Sequence, residues 1–253
     1  MERNLKNKKV VITGGARGIG YSTADTFLEK GARLVIILDI NEKQGQASAE
    51  TLKSKYGEDK VEFYKCDVTS DLDPVTNKIF DKHKYIDVLV NNAGTSNEYM
   101  IQKTIAINVT AVMEWSVKFF ERMRKDKGGN GGTVINIASI YGFRVDPFIP
   151  IYQGSKFAVM GFTRSYGHPY RYEKYGVRVV AVCPGYTHTM LTLKTKMNDD
   201  PSVQKDFEDM LEKTTSWQEV EAVSSAIAEV FEKGNSGTAW LIEGSKPITE
   251  VES

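Results

Sequence analysis

Short apolar runs alternate with amphipathic stretches along this chain. Continuous apolar runs of four to eight residues are typical of strands that are buried on both faces, whereas apolar positions three and four residues apart are typical of helices. The predicted strands are Val10–Thr13, Arg33–Asp39, Val61–Cys66, Val88–Asn91, Thr133–Ser139, Val177–Cys183 and Ala239–Ile242. The predicted helices are Gly18–Lys30, Glu42–Tyr56, Leu72–His83, Tyr99–Lys125, Ser155–Tyr175 and Trp217–Glu232.

The alternation predicts an α/β protein. Right-handed crossovers turn such a chain into a parallel sheet with helices on both faces, and ligands then bind at the carboxyl ends of the strands. We therefore expect a single-domain Rossmann fold over residues 1–253, with a seven-stranded parallel sheet. We expect a substrate loop at about residues 186–216, between the sixth strand and the last helix.

Charge and cysteine content exclude several classes of function. The 33 Lys and Arg residues balance 33 Asp and Glu residues, so no net positive field attracts nucleic acid or an anionic membrane. The N-terminus has no apolar signal segment and no apolar run is long enough to span a bilayer, so we expect a cytoplasmic protein without membrane insertion. Cys66 and Cys183 are not at metal-ligand spacing, which predicts buried thiols and no metal site.

A glycine-rich turn follows the first predicted strand. Gly14, Gly18 and Gly20 precede the first helix, where backbone N–H groups can reach a pyrophosphate that a side chain would keep away. Asp39 ends the next strand. Its carboxylate can bind a ribose with free hydroxyls and would repel a 2′-phosphate, which favours NAD over NADP. Arg17 in the turn could serve a 2′-phosphate instead, and a glycine turn without a ligand is the other alternative.

A tyrosine and a lysine follow in the second half of the chain. Tyr152 and Lys156 are four residues apart, so on a helix their side chains share one face. Ser139 ends the strand before them. This spacing is common by chance, but here it occurs with a dinucleotide turn upstream in the same α/β pattern.

Together these motifs identify the chain as a member of the short-chain dehydrogenase/reductase family. The resemblance runs from the glycine turn through Asn91-Asn92-Ala93-Gly94, Asn108, Ser139, Tyr152-Gln153-Gly154-Ser155-Lys156 and Pro184-Gly185 to the last strand. It implies a catalytic tetrad of Asn108, Ser139, Tyr152 and Lys156. Tyr152 would exchange a proton with an alcohol oxygen, with its pKa lowered by Lys156 and a positive nicotinamide ring. Ser139 would hydrogen-bond the same oxygen, and Asn108 would hold a water that relays protons from Lys156.

The resemblance also implies how NAD is bound. Asp67 and Val68, which follow the third strand, would contact the adenine ring. Asn91 would stabilise the sheet, and Ala93 and Gly94 would lie close to the adenosine ribose. Pro184-Gly185, after the sixth strand, would lie beside the nicotinamide. The expected cofactor residues are Gly14, Arg17, Gly18, Ile19, Gly20, Asp39, Ile40, Asp67, Val68, Asn91, Ala93, Gly94, Tyr152, Lys156, Pro184, Gly185, Thr187 and Thr189.

Within the family, the segments at 91–98, 161–165 and 176–186 resemble NAD-linked hydroxyprostaglandin dehydrogenases and insect alcohol dehydrogenases. We therefore expect oxidation of an apolar secondary alcohol (terpenoid, fatty, prostaglandin-like or steroidal) to a ketone. Ile149 stands where the hydroxyprostaglandin dehydrogenases have glutamine, which counts against prostaglandin itself. The expected pocket residues are Tyr141, Phe148, Ile149, Tyr186 and Met190.

Three alternatives stay open at this stage. The apolar loop residues could pack the loop onto the core or form a dimer surface rather than cover a substrate. The chain could be an NADPH-dependent carbonyl reductase, or a nucleotide-binding protein without enzymatic activity. The family resemblance also implies a homodimer or homotetramer that pairs through the helices predicted at Tyr99–Lys125 and Ser155–Tyr175.

Overall fold

A computed structural model describes residues 3–193, 201–213 and 216–252 of the chain. The strands are β1 (Lys9–Thr13), β2 (Leu34–Asp39), β3 (Val61–Lys65), β4 (Val88–Asn91), β5 (Gly132–Ile137), β6 (Val177–Pro184), β7 (Ala239–Ile242) and β8 (Thr249–Glu250). The helices are α1 (Gly18–Glu29), α2 (Glu42–Tyr56), α3 (Leu72–His83), α4 (Ile101–Ile105), α5 (Val112–Met123), α6 (Pro150–Tyr166), α7 (Pro169–Tyr175), α8 (Met190–Leu193), α9 (Pro201–Lys213) and α10 (Val220–Lys233). A π-helical turn, Ala106–Ala111, joins α4 to α5.

The strands form one sheet in the order β3-β2-β1-β4-β5-β6-β7-β8. The predicted parallel sheet is confirmed for β1 to β7, and β8 adds an antiparallel edge that the sequence analysis missed. A strand of two residues has no apolar periodicity from which it could be predicted. The strand order reverses between β1 and β4, and in open α/β sheets ligands bind beside such a reversal.

Helices cover both faces of the sheet. Val10 and Ile12 of β1 pack with Phe27 of α1 on one face, whereas Val11 packs with Phe119 of α5 on the other. Because alternate side chains of the strand are buried in opposite layers, its interior positions Val10–Ile12 are all apolar. This explains why continuous apolar runs predicted the strands.

The prediction of one helix at Ser155–Tyr175 is wrong. The structure has α6, which begins earlier at Pro150, and a separate α7 that begins at Pro169. Proline lacks an N–H group and is favoured in the first turn of a helix but not in its interior. His168 caps α7, since its Nδ1 accepts a hydrogen bond from the Tyr170 N–H at 3.2 Å.

The other predicted helices differ from the observed helices mainly at their ends, and one of them is interrupted. The helix predicted at Tyr99–Lys125 consists of α4 and α5 with the π-helical turn between them, and α10 begins three residues later than expected. The predicted substrate loop contains α8 and α9, while its parts at 194–200 and 214–215 lie outside the described residues. In the described ranges, no helix is both long enough and apolar enough to cross a bilayer.

Candidate active site

A cavity of about 850 Å³ opens at the carboxyl ends of the parallel strands. Segments that end or follow β1 to β6 converge there, although they are far apart in the sequence. The expected site residues on its wall are Gly14, Arg17, Gly18, Ile19, Asp39, Ile40, Asp67, Val68, Ala93, Gly94, Ser139, Tyr141, Ile149, Tyr152, Lys156, Pro184, Gly185, Tyr186, Thr187, Thr189 and Met190.

The glycine turn after β1 forms an open cradle. Gly14 and Gly18 have φ angles of +63° and +57°, in the left-handed region that favours glycine. A Cβ on Gly14 would lie 2.8 Å from the Ala93 Cα, and one on Gly18 would point toward the Thr189 side chain at 3.7 Å. Side chains here would fill the space beside the N-terminus of α1, so the turn fits a pyrophosphate that approaches the backbone.

Asp39 is held in a fixed orientation at the end of β2. Its Oδ2 accepts a hydrogen bond from the Ala16 N–H at 3.0 Å, and its Oδ1 accepts one from the Asn41 N–H at 2.9 Å. Each carboxylate oxygen can accept more than one hydrogen bond. Asp39 can therefore also bind a pair of ribose hydroxyls from the cavity wall.

Tyr152 and Lys156 face the cavity from α6. The Lys156 Nζ lies 5.5 Å from the centroid of the Tyr152 ring and donates a hydrogen bond to the Ile137 carbonyl oxygen at 2.8 Å. The Ser139 Oγ accepts a hydrogen bond from the Tyr141 N–H at 3.2 Å, so its own O–H can donate toward Tyr152. A phenol, a hydroxyl and an ammonium thus lie together on the wall that carries the dinucleotide cradle.

Burial is the largest cause of the pKa shifts of Tyr152 and Lys156. Burial raises the pKa of Tyr152 to about 12, although a hydrogen bond from Ser139 opposes the shift by favouring the phenolate. Burial lowers the pKa of Lys156 to about 8, because the ammonium loses its hydration. The groups of the protein alone therefore shift the pKa of Tyr152 in the direction opposite to the one expected from the sequence.

Asn108 is buried behind the cavity wall, in the π-helical turn. Its Oδ1 accepts a hydrogen bond from the Thr95 N–H at 2.9 Å, and its Nδ2 donates to the Thr95 carbonyl at 2.9 Å and to the Ser155 Oγ at 3.0 Å. Ser155 Oγ in turn donates to the Tyr152 carbonyl at 2.6 Å. Asn108 therefore joins the segment after β4 to α6, and its water relay stays a prediction.

Three further expected site residues lie off the cavity wall. The Asn91 Nδ2 donates to the Ser116 Oγ and the Asn136 Oδ1, both at 2.9 Å, which fits stabilisation of the sheet rather than contact with a cofactor. Gly20 lies beneath the turn, where a Cβ would come within 2.4 Å of the Gly14 carbonyl oxygen. Phe148, expected in the pocket, is not among the residues of the cavity wall and packs against Phe207 instead.

The apolar end of the cavity includes a residue that the sequence analysis missed. Phe207 of α9 is buried, lines the cavity and packs on Phe148 with ring centroids 5.7 Å apart. Its neighbours Met210 and Leu211 belong to the same apolar cluster. Phe207, Met210 and Leu211 are three and four residues apart, which is a helical pattern, although the sequence analysis predicted a loop here.

Tyr141 and Tyr186 face each other across the same end of the cavity. Their hydroxyl groups are hydrogen-bonded to each other, and their ring centroids lie 6.1 Å apart with nearly perpendicular planes. The Tyr186 hydroxyl also contacts the Met210 sulfur at 3.5 Å. Burial raises the pKa of both phenols, so both stay neutral near pH 7.

His188 and the two cysteines have ordinary structural surroundings. His188 stacks on Trp217 with ring centroids 4.8 Å apart and lies 3.7 Å from a Glu219 carboxylate oxygen. Cys66 and Cys183 are buried free thiols. Across residues 3–193, 201–213 and 216–252, no three His, Cys, Asp or Glu side chains are grouped as metal ligands.

Comparison with known proteins gives consistent matches. The family model described as short chain dehydrogenase matches residues 8–200. Alcohol dehydrogenase 1 of Ceratitis cosyra is 35% identical over 243 residues, which cover 94% of this chain and 92% of that protein. The NAD(+)-designated 15-hydroxyprostaglandin dehydrogenase of Macaca fascicularis is 35% identical over 190 residues, which cover 74% of this chain and 71% of that protein. The crystal structure of levodione reductase shares the fold, with a TM-score of 0.80 at 24% identity over 94% of this chain and 97% of that one.

Proposed function

As this chain belongs to the short-chain dehydrogenase family of oxidoreductases that act on alcohols, we propose that it uses NAD to oxidise an apolar secondary alcohol to a ketone. The observation that carries the proposal is the placement of Tyr152, Lys156 and Ser139 on the same cavity as the glycine cradle and Asp39. An acid/base group and a dinucleotide cradle on one wall are what hydride transfer at a carbinol carbon requires.

Tyr152 is the proposed acid/base group. In alcohol oxidation its phenolate accepts the hydroxyl proton, while the Ser139 hydroxyl donates a hydrogen bond to the same substrate oxygen. The bound dinucleotide would supply the hydride acceptor and a positive charge beside the phenol. Because burial raises the pKa of Tyr152 to about 12, the Lys156 ammonium is needed to stabilise the phenolate.

The preference for NAD rests on Asp39. Its carboxylate is fixed on the cavity wall by two backbone amides, where it would repel a 2′-phosphate. The NAD(+) designation of the related 15-hydroxyprostaglandin dehydrogenase supports this assignment. Arg17 is exposed on the same wall, and this observation favours an NADPH-dependent carbonyl reductase as the second candidate.

The apolar end of the cavity supports a hydrophobic substrate. Ile149, Phe207 and Met190 line it together with the two tyrosine rings. Burial of hydrocarbon against such a surface is favourable, and we expect α8 and α9, which supply Met190 and Phe207 to the wall, to cover a bound molecule. The name of one relative, 15-hydroxyprostaglandin dehydrogenase, specifies a hydroxy compound.

The test is reduction of NAD and NADP by secondary alcohols of increasing chain length, with the Tyr152→Phe variant as control. We expect turnover with NAD that improves with chain length and is lost in the variant, which still binds NADH. A preference for NADP would establish the second candidate. Binding of NADH without turnover of any alcohol or ketone would contradict both candidates.

A further inference from the structure

The helix that carries Tyr152 begins without a cap of its own. Pro150 occupies its first turn, and the preceding residue, Ile149, has no side-chain oxygen and makes no capping hydrogen bond. The first backbone N–H groups of a helix have no partner within the helix and must be satisfied from elsewhere. The first helical hydrogen bond of α6 is donated by Gln153, whose N–H binds the Ile149 carbonyl at 2.8 Å. The N–H groups of Ile151 and Tyr152 therefore need an acceptor from outside α6.

Glu98 satisfies both of these groups. Its Oε2 accepts a hydrogen bond from the Ile151 N–H at 2.7 Å, and its Oε1 accepts one from the Tyr152 N–H at 2.9 Å. Hydrogen bonds to a carboxylate are stronger than neutral ones, and a negative charge is favourable at a helix N-terminus. One side chain from the segment after β4 thus holds the main chain of the proposed acid/base residue.

The segment that carries Glu98 is itself well anchored. The Asn97 Oδ1 accepts hydrogen bonds from the Tyr99 N–H at 3.0 Å and the Met100 N–H at 3.3 Å, and the Thr104 hydroxyl donates to the Asn97 carbonyl at 2.8 Å. Thr95, three residues before Glu98, is bonded to Asn108. The carboxylate is therefore presented by a rigid turn at the start of α4.

We propose that Glu98 is a positioning residue, which caps α6 from outside the helix and thereby holds Tyr152 in place relative to Ser139 and Lys156. The inference rests on the proposed acid/base role of Tyr152. Thr95 and Ser96 lie on the cavity wall, whereas Glu98 contacts α6 behind it. Loss of Glu98 should therefore reduce the rate of proton transfer more than it weakens binding of the dinucleotide.

The first test is the Glu98→Ala variant, with Glu29→Ala at the exposed C-terminal end of α1 as the matched control. We expect kcat to fall about ten- to a hundredfold, as misplacement of a reacting group by about 1 Å does elsewhere. The KM for NAD should change by less than about twofold, because the cradle is intact. Acetate should restore part of the lost rate by binding to the freed N–H groups, while chloride at equal ionic strength should not.

The second readout is amide hydrogen exchange at residues 151–153, which does not depend on turnover. Exchange should be faster in Glu98→Ala and unchanged in Glu29→Ala. If Glu98→Ala does not fold, Glu98→Gln decides by the same readouts, since it keeps the shape and loses one acceptor.

Two results would overturn the inference: an unchanged kcat, or a reduced kcat with unchanged exchange at the start of α6. Absence of turnover in the unmodified protein would instead remove the proposed function. The exchange measurement would then still support the cap if exchange is faster in the variant, and overturn it if exchange is unchanged.

Discussion

Replacement of Lys156 by methionine should make the folded protein more stable while it abolishes turnover. Lys156 is buried, and burial lowers the pKa of its ammonium from 10.5 to about 8. Its Nζ donates to the Ile137 carbonyl oxygen at 2.8 Å. Methionine is similar in length and fills irregular apolar space, so it should occupy the same volume without a buried charge.

The size of the effect follows from the pKa. The difference between 10.5 and about 8 corresponds to about 3 kcal/mol by which folding disfavours the charged form. The substitution also removes the hydrogen bond to Ile137, which offsets about 1 to 2 kcal/mol. At pH 7 the free energy of unfolding should therefore rise by about 1 to 2 kcal/mol.

The pH dependence gives the effect a distinct signature. The unfolded chain binds the Lys156 proton more tightly than the folded protein does, so stability rises with pH between the two pKa values. The penalty is fully present below about pH 8 and disappears as the pH approaches 10.5. The advantage of the Lys156→Met variant should shrink over the same interval.

Urea unfolding at pH 7 and at pH 9.5 measures this difference. The experiment uses protein without added dinucleotide, because a ligand that binds only the folded state shifts its stability. The exposed Lys43 supplies a matched control, and Lys43→Met should change the unfolding midpoint little at either pH. A Lys156→Met variant that is less stable than the unmodified protein at pH 7, or that differs by the same amount at both values, would refute the reasoning.

Three further outcomes are expected. Asp39→Ala should raise kcat/KM for NADP relative to NAD by about tenfold or more, because a fixed carboxylate no longer repels the 2′-phosphate; an unchanged preference would remove Asp39 from this role. Since burial raises the pKa of Tyr152 to about 12, the rate of alcohol oxidation should increase with pH from about 6 to about 7.5, below the pKa of about 8 at which Lys156 loses its ammonium, and a flat profile would argue against the phenolate as base. Arg178 is buried and donates hydrogen bonds to the Phe231 carbonyl at 2.6 Å and the Gly234 carbonyl at 2.5 Å, at the C-terminal end of α10. Arg178→Met should therefore lower the free energy of unfolding, measured by urea titration, by about 2 to 4 kcal/mol. A loss below about 0.5 kcal/mol would show that this cap of α10 contributes little.

Much of the architecture could be predicted from the sequence because it depends on local rules. Strands buried on both faces require apolar side chains at successive positions, as in Val10–Ile12. The left-handed turn at Gly14 and Gly18 requires glycine. Four-residue spacing places Tyr152 and Lys156 on one face of any helix. These rules act within a few residues, so the pattern of the chain contains them.

Features that depend on contacts between distant segments could be recognised only in the tertiary structure. Glu98 caps α6 by a hydrogen bond to Ile151, 53 residues further along the chain. Asn108 lies in a π-helical turn that no sequence signal marks, and it is hydrogen-bonded to Thr95 and Ser155. The protein's own groups raise the pKa of Tyr152, because burial depends on how completely the surrounding elements exclude water. The sequence by itself determined most of the chemical groups on the cavity wall, although not Phe207 of α9 or the start of α6 at Pro150. The folded packing decided how those groups are oriented, bonded and charged, because burial and hydrogen bonding are properties of the assembled neighbours.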